Sequence, residues 1–340
     1  MKEELITSGR LNPNIDPVLH VWHWHIPTYL FLGGLAAGLL FFAAYFVISG
    51  REKKYRTAIA VAPLIAPVAI IIGLVALLLD LKHPAYFWQL YTTIRFESPM
   101  SWGSWVLMVA TPLSIVWVMI HLKNVFPKFK CKNGFMRKIF SLFIKQTGEN
   151  KKGVDWDWKY PVLQRLEDYL IKNKKSLAWV MIVVAVILGV YTGILLSAFN
   201  ARPLWNTSIL GPLFLTSGLS TAAAAILLVA KNHKEIKVFS RIDILLIIIE
   251  LFLITHMFMG YLAGSQVKME AAQLFLGGEF TVTFWVNVVI LGLIVPVILE
   301  TLELMKYKIP AYVPALLVLW GGFMFRMIMV EAGQITRFFY

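Results

Sequence analysis

The chain has a single cysteine, Cys131, among its 340 residues. Iron–sulfur clusters are held by several cysteine thiolates and a disulfide needs two, so neither can form within this protein alone. Any cluster that works with the protein therefore belongs to a partner, and we expect no metal site here. The first 25 residues also lack the apolar core and cleavage site of a signal peptide, so the first apolar run is expected to direct membrane insertion.

Charged residues are scarce within eight long apolar runs, and this scarcity identifies the class of protein. Each run covers roughly 20 residues, which as a helix cross a hydrocarbon core about 30 Å thick. Only helices and closed barrels satisfy their backbone groups in lipid, and these runs are too long for barrel strands. The sequence therefore predicts an all-α integral membrane protein with eight transmembrane helices. The predicted spans are 26–48, 59–80, 103–122, 177–198, 208–230, 243–263, 281–300 and 312–331.

Lysine and arginine fall mostly on one side of the predicted membrane. The segments after the first, third, fifth and seventh spans hold 24 of them, and the opposite side holds seven. Because basic loops stay in the cytoplasm, both termini are predicted to face the periplasm. The net charge of +13 then reflects topology, with anionic lipid as surface partner, and it does not indicate binding to nucleic acid. The predicted organisation is a periplasmic segment 1–25, helices 1–3 over 26–122, a basic cytoplasmic loop 123–176, helices 4–8 over 177–331 and a periplasmic tail 332–340.

The connection 123–176 is much longer than the others, and such a loop usually has structure of its own or is disordered. Its stretch from Pro161 to Leu170 places apolar side chains on one helical face, and Pro161 suits a first helical turn. We expect an amphipathic helix that lies on the inner leaflet. The alternative is a docking site for a cytoplasmic partner.

A short repeat links the two halves of the sequence. Leu30–Leu35 resembles Phe214–Leu219 at an offset of 184 residues, and both segments belong to spans that cross the membrane in the same direction. The repeat predicts two four-helix bundles in the same orientation. Small residues also recur at helix interfaces for packing alone, which is the alternative explanation.

Polar and aromatic residues gather at the predicted outer ends of the first three spans. His25 and Tyr29 lie one turn apart at the start of the first span, and Asp80 ends the second. The tryptophans nearby fit an aromatic belt at the lipid boundary. An ionisable cluster at this boundary is costly unless it has a partner or a task, although Asp80 at a helix end can also be solvated.

Four polar residues stand out deeper in the spans: Tyr191, Glu250, His256 and Arg326. At about 1.5 Å of rise per residue, Glu250 lies roughly 10 Å below Arg326 and His256, so we expect no direct pairing of Arg326 with Glu250. A buried arginine marks either a functional pathway or a structural clamp on backbone carbonyls at a helix break. A b-type haem needs two histidines at one depth on facing helices, and we expect none here, His25 with His256 being the one conceivable pair.

Several motifs of the sequence form a recognisable set. The most specific is Ser98-Pro99-Met100-Ser101-Trp102-Gly103-Ser104-Trp105. The others are Trp22-His23-Trp24, Tyr29–Gly38, Asp80-Leu81, Pro203–Thr207, Gly277–Phe280, Arg326 and Gly333-Gln334. Together they resemble the NrfD/PsrC family, the membrane subunits of polysulfide, nitrite, tetrathionate and arsenate reductase complexes, over nearly all eight helices.

The resemblance implies a subunit of the inner membrane, without haem or cluster, that exchanges electrons between a quinone such as menaquinone and an iron–sulfur, ferredoxin-like subunit. It also implies a catalytic partner with molybdopterin or several haems. The family's subunits oxidise or reduce a quinone, and we expect quinol oxidation here. The family's quinone pocket corresponds here to His25 or Tyr29, Asp80 and Tyr191. Related proteins have an Asn and a His at the helix 1 positions, where this one has His25 and Tyr29.

The residues fit this chemistry. Quinol oxidation releases two protons and two electrons, so the site needs hydrogen-bond donors for the headgroup oxygens and a group that accepts protons. Tyrosines supply the donors, and His25 or Asp80 supplies the base. The alternative function is a secondary transporter or a proton or ion pathway that uses Glu250, His256 and Arg326.

Overall fold

The computed structural model describes residues 21–127, 142–150 and 153–338. Within these ranges eight helices are long and apolar enough to cross a membrane, which confirms the predicted all-α class and the number of spans. They are α1 (His25–Ile48), α2 (Thr57–Asp80), α4 (Pro99–Val125), α6 (Lys174–Ser197), α7 (Leu210–Val229), α8 (His233–Leu262), α10 (Thr283–Leu304) and α11 (Tyr312–Ile335). Three shorter helices are α3 (Gln89–Thr92), α5 (Pro161–Lys172) and α9 (Gln266–Gln273).

All helix ends but one lie within four residues of the ends of the predicted spans. The helix α8 begins at His233 rather than at residue 243, because the Asn232 side chain accepts the N–H of Lys234 at 3.0 Å and caps the helix well before the apolar run. Towards the C-terminus α11 continues to Ile335, so the predicted tail 332–340 begins inside a helix.

The membrane helices form two four-helix bundles. In the first, α1 and α4 each pack against α2 and α6. In the second, α7 and α10 each pack against α8 and α11. The bundles join where α1 contacts α7 and α11 and where α6 contacts α7, so α1 and α7 lie at the centre.

The repeat predicted between the halves lies at this central contact. Gly34 and Gly218 are equivalent positions of the repeat, and they face each other across the interface between α1 and α7. A Cβ atom on Gly218 would lie 2.8 Å from the Gly34 carbonyl oxygen, and one on Gly38 would lie 2.5 Å from the Ala222 Cβ atom. Glycine is therefore required here, because only glycine lets the two backbones approach this closely.

The described part of the connection between α4 and α6 forms a small unit at one end of the bundle. Strands β1 (Ile144–Asn150) and β2 (Gly153–Trp158) form an antiparallel hairpin with an irregularity between residues 146 and 148, and α5 follows. The helix α5 covers the stretch that the sequence predicts as helix. The hairpin was not predicted, and Cys131 lies outside the described residues.

Lys123 near the end of α4 anchors this unit. Its Nζ atom donates to Asp157 at 2.7 Å and to Glu167 of α5 at 2.5 Å. Glu167 is the buried residue of α5, whereas Val162 and Tyr169 are 74% and 65% exposed. The apolar face of α5 is therefore turned away from the protein, and it is available to lipid or to a partner, as the sequence left open.

Candidate functional site

We call the end of the bundle that holds His25 and Asp80 the outer end, after the orientation that the basic residues predict, and the opposite end the inner end. His25 is the first residue of α1 and Asp80 the last of α2. The His25 Nδ1 atom lies 4.0 Å from the Asp80 Oδ1 atom, too far for a hydrogen bond, and is buried without a hydrogen-bond partner in the described part of the protein. The two side chains remain 21% and 15% exposed, so neither is closed off from the surface at this end.

Tyr29 and Tyr191 meet one helical turn below His25. Their hydroxyl groups lie close enough to interact between α1 and α6, and both residues are buried. Two hydroxyls have two protons to donate, and one hydrogen bond between them uses only one. The pair therefore keeps one O–H donor for a third group, such as an oxygen of a bound molecule.

Gly103 of α4 makes room for Tyr191. A Cβ atom at position 103 would lie 1.9 Å from the Tyr191 hydroxyl oxygen and equally close to the ring carbon that bears it. The glycine of the Ser98–Trp105 motif is thus what allows the tyrosine hydroxyl to reach its position beside Tyr29.

The loop between α2 and α4 is tied to the same site. The Ser104 hydroxyl donates to the Leu90 carbonyl oxygen at 2.7 Å and so fixes the short helix α3. Tyr91 of α3 is close enough to interact electrostatically with Tyr29, and partial burial raises the pKa of Tyr91. Neither Tyr91 nor a role for Gly103 was expected from the sequence, and the only signal for Tyr91 was its position in the aromatic loop after Asp80.

Two further motifs fix the segment that enters α1. The Gln334 side chain donates to the Trp22 carbonyl oxygen and accepts from the Trp22 N–H, both at 2.8 Å. Trp22 stacks on Trp205 with ring centroids 5.3 Å apart, and a Cβ atom on Gly333 would lie 1.9 Å from the Trp205 Nε1 atom. The residues of the Pro203–Thr207 and Gly333-Gln334 motifs thus act structurally, by holding the segment that leads to His25.

A cavity of about 260 Å³ also opens at the outer end. Its polar lining includes His23, Glu279, Glu331 and Gln334. The candidate residues His25, Tyr29, Asp80 and Tyr191 do not line it. Among the described residues, no group of three or more His, Cys, Asp or Glu side chains is placed to hold a metal ion.

Arg326 is fully buried between the two bundles. Its guanidinium group donates to the Gly322 carbonyl oxygen at 2.7 Å, to the Ser217 hydroxyl at 3.1 Å and to the Phe214 carbonyl oxygen at 3.5 Å. It also lies 5.7 Å from the centre of the Phe31 ring. The clamp on backbone carbonyls that the sequence left open is present, although α11 continues through this position without a break.

Glu250 and His256 lie on opposite sides of α8. Glu250 is buried and lies close to Ser217, which accepts a hydrogen bond from Arg326, and no direct ion pair joins Glu250 to Arg326 in the described structure. His256 is exposed on the outside of the bundle against Phe252, with ring centroids 5.2 Å apart. The structure does not bring His256 together with Glu250 and Arg326, because six residues turn an α-helix by about 240°. For the same reason His256 does not pair with His25.

Known proteins match this one over almost its whole length. The family model described as "Polysulphide reductase, NrfD" matches residues 12–338. Protein NrfD of Escherichia coli is 32% identical over 329 residues, covering 93% of the present sequence and 96% of that protein. One component of the polysulfide reductase of Wolinella succinogenes is 32% identical over 328 residues, covering 92% and 94%. One component of the selenate reductase of Mesobacillus selenatarsenatis is 23% identical over 303 residues, covering 83% and 67%.

Proposed function

Because the protein belongs to the polysulphide reductase NrfD family, we propose that it is the quinone-reactive membrane subunit of a respiratory oxidoreductase complex. In this proposal it oxidises a quinol such as menaquinol at the outer face of the inner membrane. The two electrons pass to an iron–sulfur subunit bound at the outer end, and from there to a catalytic subunit with molybdopterin or several haems. The terminal substrate is set by that partner.

The observation that supports this function best is the placement of two different pairs at one end of one bundle. The buried Tyr29–Tyr191 pair offers an O–H donor, and the His25–Asp80 pair offers two groups that accept protons. Quinol oxidation needs both, because its headgroup oxygens must be held while their protons leave. If His25 and Asp80 had only a structural role, the buried His25 Nδ1 atom would be expected to have a hydrogen-bond partner, and it has none in the described part of the protein.

The reaction can be written with these residues. A tyrosine hydroxyl donates to one headgroup oxygen and fixes its position. The O–H bonds of the quinol break, and the protons pass to the His25 imidazole and the Asp80 carboxylate, from which they leave to the outer solution. Both electrons leave to the partner, so one quinol gives one quinone, two protons and two electrons.

The test separates the quinone reaction from the partner's reaction. In the complex purified with its partners, Tyr191→Phe and Asp80→Asn are each expected to slow quinol-driven turnover by roughly 10²–10⁴-fold, the effect of losing a proton-transfer group. Electron transfer from an artificial dye directly to the partner's active site should continue in both variants, because this route bypasses the quinone.

Tyr261→Phe is a matched control. The Tyr261 hydroxyl is also buried at the outer end, but it donates to the Leu204 carbonyl oxygen within the second bundle. Its loss should reduce stability and leave quinol turnover per assembled complex unchanged. Wild-type quinol turnover in Tyr191→Phe and Asp80→Asn would exclude this site, and parallel loss of dye activity would assign the residues a structural role.

A further inference from the structure

The inner half of the second bundle contains a line of buried polar groups that the quinone chemistry does not use. It begins at the inner end of α10, crosses to α8, continues along α7 and stops at Arg326 between the bundles. Most of these groups are carboxyl groups in surroundings that are otherwise apolar. Ionisable side chains inside a membrane bundle are costly, and they usually mark a pathway for ions or protons. The line consists of Glu303, Glu300, Asp243, Ser220, Ser217 and Glu250.

Asp243 and Glu300 form the centre of this line. Both are fully buried, and their carboxyl groups lie within hydrogen-bonding reach of each other. Ser220 donates to one oxygen, Asp243 Oδ1, at 2.6 Å. The Asp243 Oδ2 atom and both Glu300 oxygens receive no hydrogen bond from any described residue.

Such a pair must hold a proton. Two adjacent carboxylates buried away from water cannot both be ionised, because their repulsion adds to the cost of desolvation. The nearest buried cation, Arg326, acts on Glu250 rather than on this pair. One proton held between Asp243 and Glu300 gives two of the three unpartnered oxygens a hydrogen-bond partner.

The pair is connected to the inner end through Glu303. Glu303 lies three residues after Glu300 on α10, so the two side chains are neighbours on one helical face. It is only partly buried, and His233 and Lys237 at the start of α8 are close enough to act on it electrostatically. Protons from the inner solution can therefore reach Glu303 first and Glu300 next.

In the other direction the line follows α7. Ser220 and Ser217 are three residues apart and face the same side, and Ser217 lies between Glu250 and the Arg326 guanidinium group. Beyond Arg326 the rings of Phe31 and Phe214 close the line toward the outer end. The polar groups thus reach from the inner end to the middle of the membrane and no further.

We propose that this line is a proton path open to the inner side, and that the Asp243–Glu300 pair binds the proton that it carries. In each step one carboxyl O–H bond breaks and another forms: Glu303 gives a proton to Glu300, and Glu300 gives one to Asp243. The total charge does not change, and no electron moves. The path excludes His256 and needs no reaction at the outer site.

The first measurement detects the proton. Infrared difference spectra compare the wild-type complex with the double variant Asp243→Asn/Glu300→Gln, in which both side chains keep their size. The proposal expects the double variant to lose a band of a protonated carboxyl group that shifts in D₂O. Loss of ionised carboxylate bands alone would show that the pair carries no proton, and it would overturn the proposal.

The second measurement finds the end from which the proton arrives. We expect Glu303→Leu to slow the H-to-D exchange of that band by roughly 10²-fold, as for other lost proton-transfer groups, and Asp80→Asn at the outer end to leave it unchanged. Glu235→Gln is the matched control, because Glu235 is also buried near the inner end but accepts the N–H of Ala58 at 2.9 Å outside the line. Exchange that is slowed by Asp80→Asn, or is unaffected by Glu303→Leu, would refute the inner path. Neither measurement uses quinone, so its outcome is independent of the proposed function.

Discussion

Substitution of Gly103 by alanine tests the outer site through a residue that makes no chemical contribution of its own. The added Cβ atom would lie 1.9 Å from the Tyr191 hydroxyl oxygen, whereas ordinary contacts begin at 3.4 Å. The tyrosine must therefore retreat by roughly 1.5 Å, which is enough to take its hydroxyl out of hydrogen-bonding reach of Tyr29, because such bonds span a range of only about 0.5 Å.

The expected loss follows from this displacement. A misplacement of about 1 Å at a reacting group can cost about 10²-fold in rate, so Gly103→Ala should slow quinol-driven turnover by roughly that factor. Gly260→Ala is the control, since a Cβ atom at that position meets nothing within 4 Å. The assay is quinol-driven turnover of the purified complex, with dye-driven turnover measured in parallel to show that the partners remain assembled and active.

A double variant makes the test specific to Tyr191. Gly103→Ala and Tyr191→Phe both take the Tyr191 hydroxyl away from the site, so their effects should not add, and the double variant should be about as slow as the slower single variant. Full additivity would mean that the alanine acts on something other than the tyrosine. Unchanged quinol turnover in assembled Gly103→Ala would refute the role given to the hydroxyl pair.

Three other predictions concern the rest of the protein. In a cysteine-free background, a membrane-impermeant thiol reagent added to intact cells should label Lys82→Cys and not Lys159→Cys, and the reverse result would invert the topology. The purified subunit should show no haem absorbance between about 400 and 600 nm, and a Soret band stoichiometric with the protein would contradict this. The hydrogen bond from Lys123 lowers the pKa of Asp157, so the anchoring of the β1–β2 hairpin should be complete above the ordinary pKa of an aspartate and be lost as the pH falls through the lowered value. The anchoring can be measured as the rate of limited proteolysis of the hairpin at different pH values. A cleavage rate that does not change on acidification would refute this prediction.

Hydropathy was sufficient for the all-α class and the number of spans, because lipid imposes a simple rule on every span. Helical spacing also placed His25 above Tyr29 correctly. Helical spacing could not predict that Tyr191 lies beside Tyr29, because that contact depends on how α1 and α6 pack. The sequence analysis placed Tyr191 in the site only through the family resemblance. Gly103 was recognised within a motif, but its role is to leave space for the Tyr191 ring. That role becomes visible only when the packing of α6 against α4 is known.

The misplacement of His256 shows what depth in the membrane leaves out. Rise per residue placed His256 and Arg326 at one level, but it does not give the angle around α8. Asp243 and Glu300 were missed for a related reason. Each lies at the boundary of a predicted span, where a carboxylate is expected to be solvated, and only the packing of α8 against α10 buries the two together.

The two halves of the repeat pack against each other through equivalent glycines, but they carry different polar residues at their outer ends. His25 and Tyr29 correspond in the repeat to Ile209 and Leu213, so the second bundle has no outer site of this kind. The central glycines nevertheless keep the tyrosine pair close to Arg326. A Cβ atom on Gly34 would lie 3.0 Å from Arg326 Nη2. Since Gly34 comes five residues after Tyr29, about 7.5 Å of helix rise separates the level of Tyr29 from that of the guanidinium group. At such a distance in a medium of low dielectric constant, a charge that forms beside the tyrosine pair acts strongly on the guanidinium group. In the proposed path Ser217 and Glu250 would transmit that change inward, which gives a physical reason to expect that quinone chemistry at one end alters proton binding at the other.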